Sequence, residues 1–373
     1  MTSCSLGVMI APPRLEDLDA LRRSVADGSV SGLWWPDHWM GWAPAAAWSD
    51  VGELANRWPS PDLYADPFAE MAVFGRETGA PILGTCVTDV VRRHPVSVLQ
   101  SVETVLRLSP ESRVVLGIGA GERENLEPYG LPKPRIGRVE EYLDVIRQAT
   151  SSGRVTIDGD FFAVHDAPVP VVSATDRLEV WVGAHGPRML ALTAQQADGW
   201  LPMGFPPGLV AKRKAGMAEH RRPGQAPVTT GVCVVIALVE DHAEAAEIAD
   251  SEAMKRLALF SGSSVFAAAG HTHPFGADFN PMASYVPSTL SEAEVRAAVT
   301  GVPGDVVTRV VRVVTPTELN GLVEEYAAAG VDHLILWDVL HLVRPDSRAR
   351  SLELLRDARS PASPTGRATH ARQ

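Results

Sequence analysis

Cysteine is nearly absent from this 373-residue chain. The three present, Cys4, Cys86 and Cys233, lie far apart and form neither a disulfide framework nor a zinc spacing. Apolar runs are short, and none reaches the roughly 18 residues that a membrane-spanning helix needs. The start, Met-Thr-Ser-Cys-Ser-Leu-Gly, has no basic segment leading into a long apolar one, so no signal peptide is read there. Positive charge is in deficit, with 34 Lys and Arg against 45 Asp and Glu and a net charge of −11. That balance argues against nucleic acid or an anionic membrane as the main partner. No Gly-x-Ser-x-Gly elbow, P-loop or Gly-rich dinucleotide fingerprint after the first strand is present, which removes serine-hydrolase, P-loop and Rossmann chemistry. What remains is a cytoplasmic globular protein, 45% hydrophobic and 21% charged, long enough to bury a full core.

Short β-rich runs alternate with amphipathic stretches along the chain. Strands are expected at Leu6–Ile10, Gly32–Trp35, Ile82–Val87, Arg113–Gly119, Leu178–Gly183, Gly199–Leu201, Thr229–Ala237 and His333–Trp337. Helices are expected between them, and Pro67, Pro95 and Pro187 sit where three would begin, as proline's fixed φ and missing N–H allow. Strand-then-helix repeated eight times predicts a (β/α)8 TIM barrel, with insertions after strands four and seven. An open doubly wound sheet is the rival. Residues 153–164 alternate with period two around Asp158-Gly159, a hairpin signal. Residues 258–300 read as an irregular insertion, residues 1–358 as one domain, and 359–373 as a disordered polar tail.

Six of the nine tryptophans (Trp34, Trp35, Trp39, Trp42, Trp48 and Trp58) fall in one region. Residues 31–42 read Ser-Gly-Leu-Trp-Trp-Pro-Asp-His-Trp-Met-Gly-Trp. A short apolar strand stops at Pro36 and then presents Asp37 and His38 among flat aromatic faces. Imidazole titrates near neutrality and aromatic walls suit a flat ring, so the segment points to a ring pocket with proton chemistry beside it. A histidine among apolar residues is often structural; the preceding Asp, the strand end and the aromatics tip His38 toward function. Asp37 reads equally as a loop brace or a ligand contact. Trp34 and Trp35 read as core, Trp39 and Trp42 as pocket walls.

In a βα barrel the site lies where the strands end. Polar residues and glycines gather at those ends: Cys86, Thr88 and Asp89; Gly117–Glu122 with Asn125 and Tyr129; Gly183–Pro187; Met203 and Gly204; Asp338 and His341. The alternating glycines at 117, 119 and 121 permit close approach of a ligand or of another strand, as at a tight barrel corner. Gly183–Pro187 opens a helix whose unpaired N–H groups suit a phosphate, although an ordinary turn has the same composition. Arg92-Arg93-His94 is either a phosphate contact or a solvated loop. His271 and His273 lack a third ligand, so no metal is expected and the loop reads as solvated or substrate-facing.

Together these motifs resemble the luciferase-like oxidoreductase superfamily, from about Leu6 to about Asp338. The resemblance rests on Pro-Asp-His-Trp at 36–39 with Trp42, Gly-Thr-Cys-Val-Thr at 84–88, Leu-Gly-Ile-Gly-Ala-Gly-Glu at 116–122 with Asn125, and Val-Gly-Ala-His-Gly-Pro at 182–187. Ala-Asp-Gly-Trp at 197–200 and Gly-Val-Asp-His-Leu-Ile-Leu at 330–336 fit as well. The branch most similar uses coenzyme F-420, a deazaflavin, with FMN the alternative cofactor. The resemblance implies that His38 acts as acid or base over the ring, that Trp42 flanks it, and that Glu122 handles a second proton. It implies a non-proline cis peptide at Cys86–Val87 beside Thr85. Asp37, Gly119, Ala120, Gly121, Gly183, Ala184, His185 and Gly186 complete the implied cofactor contacts, and Trp39 and Met203 face substrate. A homodimer is implied too.

A deazaflavin has carbon where a flavin has its reactive nitrogen, so hydride transfer to a carbonyl or activated alkene is the expected reaction. The sugar-phosphate branch carries an acidic residue just after strand one. Here Met9-Ile10-Ala11-Pro12-Pro13 has none, which favours a lipophilic or aromatic small molecule. An FMN-dependent monooxygenase and a non-catalytic flavin-binding barrel stay open as alternatives.

Overall fold

The computed structural model describes residues 4–12, 14–169, 171, 176–222 and 224–359. Eight parallel strands close into a barrel: β1 (Ser5–Met9), β2 (Gly32–Trp35), β3 (Ile82–Thr85), β4 (Arg113–Gly119), β5 (Leu178–Val182), β6 (Gly199–Trp200), β7 (Thr229–Leu238) and β8 (His333–Asp338). Each pairs with the next and β8 pairs with β1, which is the TIM-barrel closure. In β4, Val114, Val115, Leu116 and Ile118 are all fully buried. Strands sealed by helices outside and side chains inside carry such unbroken apolar runs.

Two tryptophans fill much of the interior. Trp34 and Trp181 are fully buried, 5.6 Å apart, and pack with Val115, Leu201, Cys233 and Ile335. Rings of this size need a missing side chain opposite. A Cβ on Gly84 would stand 2.3 Å from the Trp34 ring, and one on Gly199 2.3 Å from that of Trp181. Trp34 Nε1 donates to Nε2 of His333 at 2.9 Å, so the other imidazole nitrogen, 2.7 Å from Ser5 Oγ, carries the proton.

Helices Pro67–Thr78, Pro95–Leu108 and Pro187–Gln196 each begin at the expected proline. The hairpin pairs Arg154–Asp158 with Ala163–Pro168. Strand three is shorter than expected: its ladder ends at Thr85, the Cys86–Val87 peptide bond is cis, and Thr88–Asp89 rejoins β4. Further elements escape the reading from periodicity, among them the strand Arg312–Val314 beside β7 and the helices Glu53–Arg57, Gly304–Val310 and Arg348–Arg359. Arg359 closes that helix, and the rest of the expected tail lies outside the described residues.

The stretch 258–300 is not irregular. Helices Ser263–Ala268, Pro281–Ser284 and Glu292–Thr300 follow helix Glu252–Ala258. They build a second apolar cluster in which Met254, Phe266, Val295 and Val306 are fully buried. Helices of four to nine residues are too short for a clear 3.6-residue period. Their starts are written in caps: Asn280 accepts from Met282 N, and Ser291 forms a capping box with Glu294. His273, expected in a solvated or substrate-facing loop, is instead 2% exposed against Phe266 and Phe279.

Burial in the barrel and the charge of Arg113 bring the His333 imidazole from its ordinary 6.5 down to about 3. Between those values the unfolded chain binds a proton that the folded chain refuses. This contribution to stability is therefore complete above about pH 6.5 and lost as the pH falls toward 3. Urea titrations across that range should show wild-type stability falling with acid, and His333→Gln should reduce the slope by up to about 1.4 kcal/mol per pH unit. Equal slopes in the two proteins would contradict this account.

Candidate active site

The loop after β2 turns at Pro36 and delivers Asp37 and His38 to the end of the barrel where the strands terminate. Asp37 is 3% exposed and both carboxylate oxygens are engaged. It accepts from Thr88 Oγ1 at 2.6 Å, from Arg93 Nε at 2.7 Å and Nη2 at 3.1 Å, and from Arg92 Nη1 at 3.3 Å. Burial alone would raise its pKa; the Arg93 hydrogen bonds, both guanidinium charges and Thr88 outweigh that and hold it below the ordinary carboxylate value. Asp37 thus ties the loop after β2 to the one after β3, and its carboxylate is spent on that brace rather than turned to a ligand. Arg92 also pairs with Asp89, and Arg93 with Asp66 at 2.9 Å. The basic group at 92–93 is therefore neutralised within the fold, neither solvated nor left for a phosphate.

Asn125, reached from β4, fixes the next residues. Its Oδ1 accepts from the backbone N–H of Trp39 at 2.6 Å and of Met40 at 3.0 Å. That settles the orientation of the amide, so Nδ2 donates to His38 Nδ1 at 2.8 Å. His38 consequently carries its proton on Nε2. Glu122 Oε2 lies 3.6 Å from the same Nδ1 and accepts from Trp42 Nε1 at 3.2 Å. The imidazole is edge-on to Trp42 and close to Tyr64, with its side chain 9% exposed. Burial lowers the His38 pKa, only partly opposed by the negative charge of Glu122, so the neutral form is favoured.

His38, Trp42 and Met203 line a small chamber with Met9, Pro36, Tyr64, Cys86 and Trp337. Trp42, Tyr64 and Trp337 also line a larger aromatic cleft, of about 100 Å³, whose walls include Ala11, Pro12, Trp48, Trp58, Leu257 and Leu342. Trp42 is clamped by Phe260 from the 258–300 segment, rings parallel at 4.2 Å. Its loop is held from below by Arg256, fully buried, which donates to the carbonyls of Pro44, Ala46 and Ala47.

The remaining expected residues divide. Thr85 is buried and donates to Gly117 O at 2.8 Å. Gly117 serves the barrel, because a Cβ there would stand 2.0 Å from the Thr85 carbonyl; Gly121 takes φ +106° where the turn leaves β4. Gly119 faces Val87, which a Cβ would meet at 3.1 Å. Ala120 is half-buried and follows it. Gly183, Ala184, His185 and Gly186 form the turn before helix Pro187–Gln196, with no side chain capping its N–H groups. Ala184 itself is buried and its carbonyl accepts from Trp200 Nε1. His185 stacks on Phe205 at 5.1 Å. Trp39 does not line the chamber; it is 43% exposed, edge-on to Tyr129, with the Arg92 guanidinium over its ring. Tyr64, Phe260, Trp337 and Glu124 complete the site beyond the expected residues. Tyr64 and Phe260 stand in segments with no motif and are brought in by distant packing, whereas Glu124 lies between Glu122 and Asn125 and Trp337 just after the 330–336 motif.

A closed parallel barrel with an acid–base cluster, an uncapped helix turn and an aromatic cleft at one end is one class of βα-barrel protein. Within it, the chain belongs to the luciferase-like monooxygenase family, whose model matches residues 5–333. It is 32% identical over 337 residues to a phthiodiolone/phenolphthiodiolone dimycocerosates ketoreductase of Mycobacterium kansasii, covering 84% of this chain and 89% of that one. It is 30% identical over 190 residues to an F-420-dependent hydroxymycolic acid dehydrogenase of Mycobacterium tuberculosis, covering 49% and 52%. In fold it matches the coenzyme F-420-dependent tetrahydromethanopterin reductase of Methanopyrus kandleri, with a TM-score of 0.69 at 18% identity over 95% of this chain and 97% of that one.

The Asn125–His38 geometry gives a test in the ligand-free protein. Asn125→Asp keeps the acceptor for both backbone N–H groups but replaces the donor to Nδ1 with a negatively charged acceptor. NMR titration of histidine-labelled protein should find the His38 pKa raised by about 1 unit or more, equivalent to about 1.4 kcal/mol. An unchanged titration would mean that the amide does not set the imidazole's protonation.

Proposed function

We propose that the protein is a coenzyme F-420-dependent oxidoreductase acting on a carbonyl, or an activated alkene, of a lipophilic or aromatic small molecule. The observation that carries this reading is that Trp42, Tyr64 and Trp337 wall both the chamber at His38 and the adjoining aromatic cleft. The names of the relatives agree in kind, combining F-420 with lipid ketone or alcohol chemistry. Residues 1–358 are taken as one catalytic domain, working in the cytoplasm as a homodimer, with neither nucleic acid nor membrane as partner.

The residues present suit a deazaflavin. The glycines at 119 and 183 leave room on either side of Val87, and the uncapped turn at Gly183–Gly186 offers N–H donors for an anionic tail. When bound, the deazaflavin supplies or accepts a hydride at ring carbon. The chain's own contribution is orientation and one proton. Nδ1 of His38 is turned to Asn125 and Glu122, which leaves Nε2–H for a substrate oxygen in the chamber. Trp42 bounds the chamber beside Glu122. The aromatic cleft takes the apolar body of the substrate, and its burial excludes water from the reacting carbonyl. Ala11 and Pro12 form part of that wall, where a sugar-phosphate enzyme of the superfamily carries an acid.

Thermal-shift and absorbance titrations with oxidised F-420 and with FMN test the cofactor. F-420 at about 100 times its Kd should stabilise the fold by about 2.7 kcal/mol. Stabilisation by FMN alone, with oxygen-dependent turnover, would refute the reading. His38→Ala should leave F-420 affinity within a few-fold while lowering turnover by about 10²–10⁴; full activity in that variant would point to a different site.

A further inference from the structure

β8 ends at Asp338, and the chain then turns through Leu340–Leu342. The Asp338 carboxyl builds that turn, its Oδ1 accepting from Leu340 N at 3.0 Å. The turn sets His341 into the wall of the aromatic cleft, 3% exposed and edge-on to Trp58. His341 does not line the chamber at His38. The proton chemistry there has no use for a second imidazole at this distance along the wall.

The hydrogen bonding of His341 is one-sided. Its Nδ1 lies 3.0 Å from the backbone carbonyl of Asp338. A carbonyl only accepts, so Nδ1 carries the proton. The neutral ring then keeps a lone pair on Nε2, and among the described residues no donor meets it. Burial first, then the charge of Arg348, hold this imidazole well below its ordinary 6.5, and the Asp338 carbonyl opposes them only in part. The two guanidiniums behind the ring are committed elsewhere. Arg348 donates to the carbonyls of Ala11 and Pro12 and to Asp17, and Arg14 to Pro345 O and Asp346. Other polar atoms of the cleft are engaged as well: Trp42 Nε1 with Glu122, Trp48 Nε1 with Trp58 O, and Ser60 Oγ with Asp62 N. A bare acceptor in a dry aromatic wall is costly until a ligand supplies a donor.

The charge of that ligand group follows from the surroundings. An anion would face the Nε2 lone pair, and a cation would face Arg348 and Arg14. An uncharged O–H satisfies Nε2, and the indoles of Trp42, Trp48 and Trp58 suit an aryl ring beside it. We propose that Nε2 of His341 accepts a hydrogen bond from a hydroxyl on the aryl body of the substrate, selecting hydroxyaryl ketones over ketones of the same shape without the donor. The proposal rests on the reading of the cleft as the seat of the substrate's apolar body. Because His341 stands outside the chamber, the bond is made equally in the bound substrate and in the transition state. It therefore lowers KM and leaves kcat alone. A buried acceptor also discriminates more sharply than an apolar wall, since the wrong ligand leaves it unpaired.

Two substitutions separate recognition from bracing. His341→Asn keeps a donor where Nδ1 stands, so the tie to Asp338 survives, but removes the distal acceptor. His341→Gln gives up the tie and carries an amide oxygen to the position of Nε2. NMR titrations of the F-420-free protein with para-cresol and with para-xylene, in which methyl replaces hydroxyl, read the bond directly. The preference for para-cresol over para-xylene should fall about 10-fold in His341→Asn and stay within about 2-fold of wild type in His341→Gln. In wild-type protein with nitrogen-labelled histidine, the Nε2 resonance should move upfield with para-cresol and stay in place with para-xylene. With F-420, His341→Asn should raise KM for para-hydroxybenzylacetone about 10-fold at unchanged kcat, and alter neither constant for para-methylbenzylacetone. An undiminished preference in His341→Asn, an Nε2 resonance indifferent to para-cresol, or a wild type that binds neither compound would overturn the proposal. Loss of the preference in His341→Gln alone would make His341 a brace and overturn it too. A protein that shows the preference but takes up no F-420 would uphold the hydroxyl site and refute the cofactor reading.

Discussion

Asp37 is the point from which the candidate site hangs. It is a carboxylate buried almost completely, and it is tolerable there only because Thr88, Arg92 and Arg93 all donate to it. Those donors come from the loop after β3, so the same contacts that neutralise the charge also join two neighbouring strand ends. His38 is the next residue, and its direction follows from this anchorage. Asn125 then reaches over from β4 and ties down the backbone of Trp39 and Met40. Three consecutive barrel strands therefore converge on one imidazole, and rigid strand ends hold it more closely than a free loop would.

The electrostatics of the cluster follow from its dryness. Aromatic faces on Trp42, Tyr64 and Trp337 exclude water, which disfavours charge on His38 and on Glu124 in opposite senses: the base stays unprotonated and the acid stays protonated. Glu122, partly exposed, is the link between this dry interior and solvent. The same aromatic faces serve two spaces, the chamber of the acid–base groups on one side and the apolar cleft on the other. The 258–300 segment is what makes that arrangement possible, since Phe260 stacks on Trp42 and Tyr285 donates to its carbonyl at 3.0 Å.

Much of the fold was legible because barrel strands are local features. Gly32–Trp35 and Arg113–Gly119 have the bounds that apolar runs and flanking turns suggest, and three helices start at their prolines. What periodicity missed was short or split. Between Ala245 and Ala258 the helix breaks at Ser251 into Ala245–Asp250 and Glu252–Ala258, and the helices of 258–300 that follow are shorter still or start from caps. In such pieces, caps and tertiary packing supply what a period of 3.6 residues cannot show.

The chain's local chemistry determined that strands and helices alternate, that Pro36 ends β2, and that His38, Trp42, Glu122 and Asn125 stand at strand ends. Tertiary structure decided what those side chains and their neighbours do. The partner of Asp37 is 56 residues away, that of His38 is 87 away, and Tyr285 meets Trp42 across 243. Long-range packing turned Trp39 outward, spent Arg92 and Arg93 on Asp37, and buried His273 among phenylalanines. A residue's type states which bonds it can make, but only the folded chain settles which partner is near and whether water is there to compete.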